Sequence, residues 1–162
     1  MKGKIIRDRR DILRGAIVNS SRVSMLPDIR LAIVINPDLP LGLIANTAGA
    51  IAIGLGAKFP GLAARQLVDG QERAIDISSS LPVPVLQADA DTIRLLLLKA
   101  LPQQDERAIV PFPAFARSLH DYREYEATFP GRDLSEETID GLGIVGPSKW
   151  VKSLTGSLKL LR

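Results

Sequence analysis

Between Leu39 and Ala57 the chain runs nineteen residues without a charge, with four glycines and more alanine than leucine. The run is long enough to cross a bilayer. However, Pro40, Asn46, Thr47 and the glycines interrupt it, which favours a buried helix of small residues laid closely against a sheet. Pro40 suits the first turn of such a helix and Gly56 its end, so the spacing predicts a helix from about Pro40 to Gly56. Just before it, Arg30 to Asn36 (RLAIVIN) is a short β-branched run between Pro27 and Pro37 and reads as a buried strand. A strand, a tight Asn36-Pro37-Asp38 turn and a small-residue helix constrain the rest: the domain has to be built on a sheet with helices packed against it.

The remaining pattern agrees. Gln66 to Ser78 reads as a hairpin about Asp69-Gly70, and Val83 to Gln87 as a strand near an edge, because Pro82 and Pro84 flank it. Asp89 or Asp91 caps a helix carrying Ile93, Leu96 and Leu97 on one face, which ends before Pro102. Arg107 to Phe112 is a strand. Phe115, Leu119 and Tyr122 recur at helical spacing, predicting an amphipathic helix from Pro113 to about Glu126. Phe129 to Glu137 is expected to be a loop, Leu142 to Val145 a strand, and Gly146-Pro147 the start of a helix closed by Thr155-Gly156. The fold class is therefore α/β, a single domain of residues 30–162 with a mixed sheet flanked by helices. Residues 1–29 form an N-terminal arm, or a start assigned too early, with Met25 as the natural one. No secretory signal or membrane span is expected, so the chain reads as cytoplasmic.

Composition excludes several chemistries. Without cysteine there is no disulfide, thiolate metal site or cysteine nucleophile. His120 is the single histidine, and scattered carboxylates give it no ligand spacing, so neither a metal nor a cofactor is expected. Ser118 and Asp121 neighbour it in sequence, but residues one and two apart point different ways around a helix, which argues against a triad. Asp89 and Asp91 resemble an acid pair, yet helix capping accounts for them. The phosphate-cradling loops are missing too. NPDLPLG follows the first strand instead of a G-x-G-x-x-G turn, and Gly54 to Lys58 lacks the Gly-Lys-Ser/Thr of a P-loop.

Three residues remain as ligand-binding candidates. Asn46 and Thr47 are the hydrogen-bonding side chains of an otherwise apolar helix; if buried, they require partners, either a ligand or a neighbouring loop backbone. Asp38 stands at the carboxyl end of the first strand, where open α/β sheets bind ligands, though it is equally placed to cap the helix that follows. Charge adds a second set. Residues 1–30 carry eight basic against three acidic side chains and residues 31–145 nine against fifteen, while residues 146–162 hold Lys149, Lys152, Lys159 and Arg162 with no acid. Lys149, Lys152 and Lys159 are the phosphate or RNA candidates, with a solvated helix end as the plain alternative. At 4% aromatic residues, no interleaving of bases and aromatics suggests base stacking.

The combination of motifs resembles a known superfamily. Asn36-Pro37-Asp38-Leu39-Pro40-Leu41-Gly42 before a small-residue helix is similar to the opening of the type 2 peptidyl-tRNA hydrolases. Leu142-Gly143-Ile144-Val145-Gly146-Pro147 and the ending Leu154-Thr155-Gly156-Ser157-Leu158-Lys159-Leu160-Leu161 are similar to their closing segment. Leu81-Pro82-Val83-Pro84-Val85-Leu86 and the Leu-Thr-Gly-Ser-Leu ending look most like an uncharacterised bacterial branch, the domain-of-unknown-function family numbered two thousand. The resemblance covers residues 30–162 and implies a peptidyl-tRNA hydrolase type 2-like sheet of four or five strands and a homodimer.

It also implies a depleted catalytic apparatus. Pro40 and Leu43 stand where the hydrolases bring in lysine, Asn46 stands where they carry glutamine, and no histidine follows it. Lys152 occupies their aspartate position, and their Asp-Ala-Gly-x-Thr segment has no counterpart before Leu142. Ester hydrolysis needs a water-activating group and stabilisation of developing charge. A binding module for a small molecule or RNA is thus the expectation. The alternatives are a diverged hydrolase using Asp38 and the Asn46 amide, and a structural homodimer.

Overall fold

Alternation along β1 (Ile29–Ile35) sets up two cores, one on each face of the sheet. Leu31, Ile33 and Ile35 point to one face, and Ala32 and Val34 to the other; all five are buried. The computed structural model describes residues 28–162. The arm expected over 1–29 and the start at Met25 lie outside the described residues, except that Ile29 already opens β1.

Downstream come α1 (Leu41–Lys58), a hairpin of β2 (Gln66–Val68) and β3 (Ala74–Asp76), β4 (Val85–Gln87) and α2 (Ala90–Ala100). The chain continues through β5 (Ala108–Pro113), α3 (Tyr122–Thr128), β6 (Ile139–Pro147), α4 (Ser148–Thr155) and β7 (Lys159–Leu160). Five strands form one mixed sheet in the order β5-β6-β1-β4-β7, with β1 and β4 parallel and the other pairs antiparallel. The mixed α/β domain with a five-stranded sheet is therefore as expected. Both edges are protected against further pairing: β5 carries Pro111 and Pro113, and β7 is two residues long.

Helices cover both faces. Ile93, Leu97 and Ala100 of α2 and Val151 and Leu154 of α4 pack with Ala32, Val34, Leu142 and Ile144. On the opposite face, Ile51 and Leu55 of α1 pack with Leu31, Ile33, Ile35 and Val145. Each large aliphatic side chain buried in this way contributes roughly 1.5–3 kcal/mol. Glycine decides how near α1 lies. A Cβ on Gly143 would stand 2.2 Å from Ile51 Cγ2, and one on Gly141 would stand 2.6 Å from Thr47 Cγ2. Small residues on β6 thus receive the larger ones on α1.

Several local expectations need correction. α1 is not a wholly buried helix: Thr47, Ile51 and Leu55 form its buried stripe, while Leu41 is 81% and Ile53 76% exposed. The physical reason is that one face meets the sheet and no described element covers the other. Among the described residues it is the one helix long and apolar enough to cross a membrane.

The helix predicted from Pro113 to Glu126 is two elements, a 3-10 turn at Ala114–Ser118 and α3. The break falls at Asp121, whose side chain accepts from the Arg123 N–H (2.9 Å) and caps α3. The strand predicted at Leu142 to Val145 is longer, because the Gly-rich flanks of β6 still pair with β1 and β5. β7 carries too little apolar pattern to be seen in sequence and forms because β4 offers a free edge. The Phe129 to Glu137 loop includes a 3-10 turn at Phe129–Gly131.

A candidate ligand pocket between α1 and β5

Helical spacing on α1 produces a second stripe beside the buried one. Asn46, Ala50, Ile53 and Gly54 face a cavity of about 470 Å³ whose lining is completed by Val110, Pro111 and Phe112 of β5 and by residues between Ala116 and Tyr125. This size lies in the range of small-molecule sites, and most of the lining is apolar. The polar groups are few: Asn46, His120, Asp121 and the phenols of Tyr122 and Tyr125.

Asn46 is exposed, not buried, and its amide makes no hydrogen bond among the described residues. The expected requirement for an internal partner does not apply to it, because it sits on the cavity stripe rather than the sheet stripe. Thr47, one position on, is buried, and its Oγ1 has no partner. It faces β6 near Gly141 and is not part of the cavity lining. Asp38 is exposed, and its own N–H donates to Asn36 Oδ1 (3.1 Å). It does not cap α1, whose N-cap residue Pro40 makes no side-chain bond, and it does not line the cavity. The structure therefore separates the three candidates, and Asn46 is the one that reaches the pocket.

His120 is exposed and lines the pocket, which the helical reading of its segment did not suggest. It has no triad partner: Ser118 Oγ donates to the Phe115 carbonyl (3.0 Å), and Asp121 is held by Arg123 through the side-chain Nε (2.9 Å) and Nη2 (2.8 Å). These bonds hold the Asp121 carboxyl below its ordinary range. Asp89 caps α2 through the Thr92 N–H (2.8 Å), as capping required, whereas Asp91 is no cap but sits in the first turn and pairs with Arg94 (3.0 Å). No cluster of three or more potential metal ligands exists among the described residues.

An aromatic group builds the wall beyond His120. Tyr125 stacks on Phe115 (5.5 Å, 22°) and on Phe129 (5.8 Å, 18°), and the Arg132 guanidinium lies 4.5 Å over Phe115. Tyr122 tilts against Tyr125 at 6.5 Å and is 76% exposed. Burial, with a smaller effect from Tyr122, raises the Tyr125 phenol above its ordinary value. In the sequence Phe115, Tyr122, Tyr125 and Phe129 fall at helical spacing, so the pattern marked an aromatic face but not the break at Asp121 that folds it into this wall.

The segment is anchored from below. Arg117 donates through Nε and Nη2 to the two carboxylate oxygens of Asp140, a residue with no exposure. This bond raises the Arg117 pKa further above its ordinary value. The Asp140 carbonyl also accepts from the Asn36 N–H (2.9 Å), tying the 3-10 turn, β6 and the end of β1 together. Neither partner was predicted from sequence, since two charges 23 residues apart carry no local signal.

The lysine candidates lie elsewhere. Lys149 and Lys152 on α4 and Lys159 on β7 are exposed and make no ion pair among the described residues. Near them, Arg107 lies 4.6 Å over the half-buried Trp150 ring.

Comparison with known proteins agrees with the architecture. A family model described as "Protein of unknown function (DUF2000)" matches residues 29–162. A protein of unknown function from Agrobacterium tumefaciens, Atu0240, is similar in structure with a TM-score of 0.74 and 16% identity, over 82% of this chain and 97% of that one. At that identity the likeness shows the fold. Among curated proteins, no match was found.

Proposed function

This chain belongs to the DUF2000 family, and from that premise we propose that it is a small-molecule binding module on a peptidyl-tRNA hydrolase type 2-like fold, without ordinary peptidyl-tRNA hydrolysis. The observation that carries this reading is the Asn46 amide, unbonded among the described residues, on the wall of an otherwise largely apolar cavity of about 470 Å³. An amide offers both a donor and an acceptor, so it orients a ligand that the apolar walls retain.

Hydrolysis is not supported by the same geometry. Asp38 is the carboxylate that a diverged hydrolase would use, yet it lies outside the lining that holds Asn46. Asp121 is already engaged by Arg123. Neither carboxylate is therefore free to activate water at the cavity.

Two measurements test the proposal. Ligand-observed NMR with a fragment collection should find binders that Asn46→Ala weakens, while the melting temperature moves by less than about 2 °C, as expected for an exposed site. Binders indifferent to the substitution, or strong destabilisation without a binding effect, would reject Asn46 as the ligand contact. Single-turnover incubation with labelled peptidyl-tRNA should give no cleavage; cleavage abolished by Asn46→Ala would establish the hydrolase alternative.

RNA binding is the second reading, favoured by Lys149, Lys152 and Lys159 being exposed without acidic partners. Its signature in the same incubation is retention of the tRNA that falls steeply with salt. The proposal also includes a homodimer, as the family resemblance implies; Leu41 at the start of α1 is exposed and lies outside the pocket lining, free for such a contact. Light scattering coupled to size exclusion should return twice the 17.5 kDa chain mass; a monomer at micromolar concentration rejects it.

A further inference from the structure

The α1–β5 pocket is almost without usable charge, and this limits what it can hold. No lysine or arginine is among its lining residues, which leaves the exposed imidazole of His120 as the one side chain there able to carry positive charge. The one carboxylate in the lining, Asp121, is already committed to the Arg123 side chain, so no free anion awaits a cationic ligand. Apolar side chains from α1 and β5 form most of the remaining surface.

The two features that stand out from this surface are flat. Tyr125 is fixed between Phe115 and Phe129, and Tyr122 extends that aromatic group into the cavity with most of its surface uncovered. Tyr122 thus offers an open ring face beside a Tyr125 ring that is stacked on two neighbours. The Asn46 amide is the second feature. Its donor and acceptor lie side by side in one plane, the geometry that pairs with a carboxamide, lactam or aminopyridine edge.

On the reading that this pocket binds a small molecule, we propose that its ligand is an uncharged planar heteroaromatic carrying an amide-like edge, stacked on Tyr122 and read by Asn46. An aliphatic ligand would leave the ring unused, and one without an amide would leave Asn46 unpaired as well. An anionic one would lose its hydration against walls that offer no permanent counter-charge.

The test is ligand-observed NMR on the full chain with nicotinamide, nicotinate, hexanamide and octanol as probes. Nicotinamide and nicotinate differ in charge at similar shape, whereas nicotinamide and hexanamide differ in the ring. Nicotinamide should bind at least about tenfold more tightly than either, the equivalent of one good polar or stacking contact. Tyr122→Ala and Asn46→Leu should each weaken it by about fivefold or more, and Tyr122→Phe should leave it unchanged because the ring is what stacks. Preference for nicotinate overturns the claim of neutrality, and preference for hexanamide that of planarity. Binding of octanol alone overturns the inference but leaves the pocket reading intact. If none of the four binds, both fall.

Discussion

Asn46 and Thr47 are adjacent in sequence and opposite in circumstance. The difference follows from the 100° between successive helical residues: Thr47 turns to β6 and is buried, and Asn46 turns to the cavity. The Thr47 hydroxyl is the buried side-chain group without a partner among the described residues, and such a group costs about 1–3 kcal/mol. Arg117 and Asp140 show the compensated case, because a bidentate pair satisfies a carboxylate that has no access to water. Arg117→Ala strands that carboxylate and should lower stability by about 3 kcal/mol in urea unfolding. Replacing both partners, Arg117→Met with Asp140→Leu, should recover most of the loss; if the double variant is as unstable as the single one, the pair contributes through something other than charge compensation.

Among elements, α1 and β6 belong together because each supplies what the other lacks. Ile51 and Leu55 project from the helix, and Gly141 and Gly143 provide the room on the strand. Gly143→Ala forces a methyl group against Ile51 Cγ2 and should destabilise the protein by about 1–3 kcal/mol. Gly49, on the exposed side of α1, has no atom within 4 Å of a new Cβ. Gly49→Ala should therefore raise stability by about 0.5–1 kcal/mol through lower chain entropy in the unfolded state. Opposite signs in thermal unfolding confirm the assignment of the two faces; equal signs refute it.

For the whole molecule, pH is the simplest probe of the surface. Asp69, Asp89, Asp121 and Asp133 all have folded-state pKa values below the ordinary 3.8, in each case through hydrogen bonds to nearby backbone and side-chain donors. A carboxylate whose pKa is depressed by folding adds stability above its unfolded pKa and loses it as pH falls through the folded value. The melting temperature should consequently be insensitive to these four groups between pH 7 and about pH 5 and fall below about pH 4. Substituting all four by asparagine should flatten that acid limb. An unchanged limb in the substituted protein would show that other groups control acid unfolding.

Strand and helix order was readable from local pattern, because alternation in RLAIVIN, the uncharged Ala-Gly run and the Asp89 cap each act within a few residues. The hairpin at Gln66 to Ser78 was legible for the same reason, since Asp69 bonds its own loop at Gln71 and Arg73. What local pattern did not carry was everything decided by a distant neighbour. β7 exists because β4 has a free edge, and the Pro113 to Glu126 segment breaks at a cap whose aromatic neighbours stack across the break. Asn46 was identifiable as an anomaly in an apolar helix, but the side it faces depended on where α1 meets β6. Periodicity and capping are properties of the chain alone; the pocket arises only where α1, β5 and the α3 segment converge, and that convergence is set by tertiary packing.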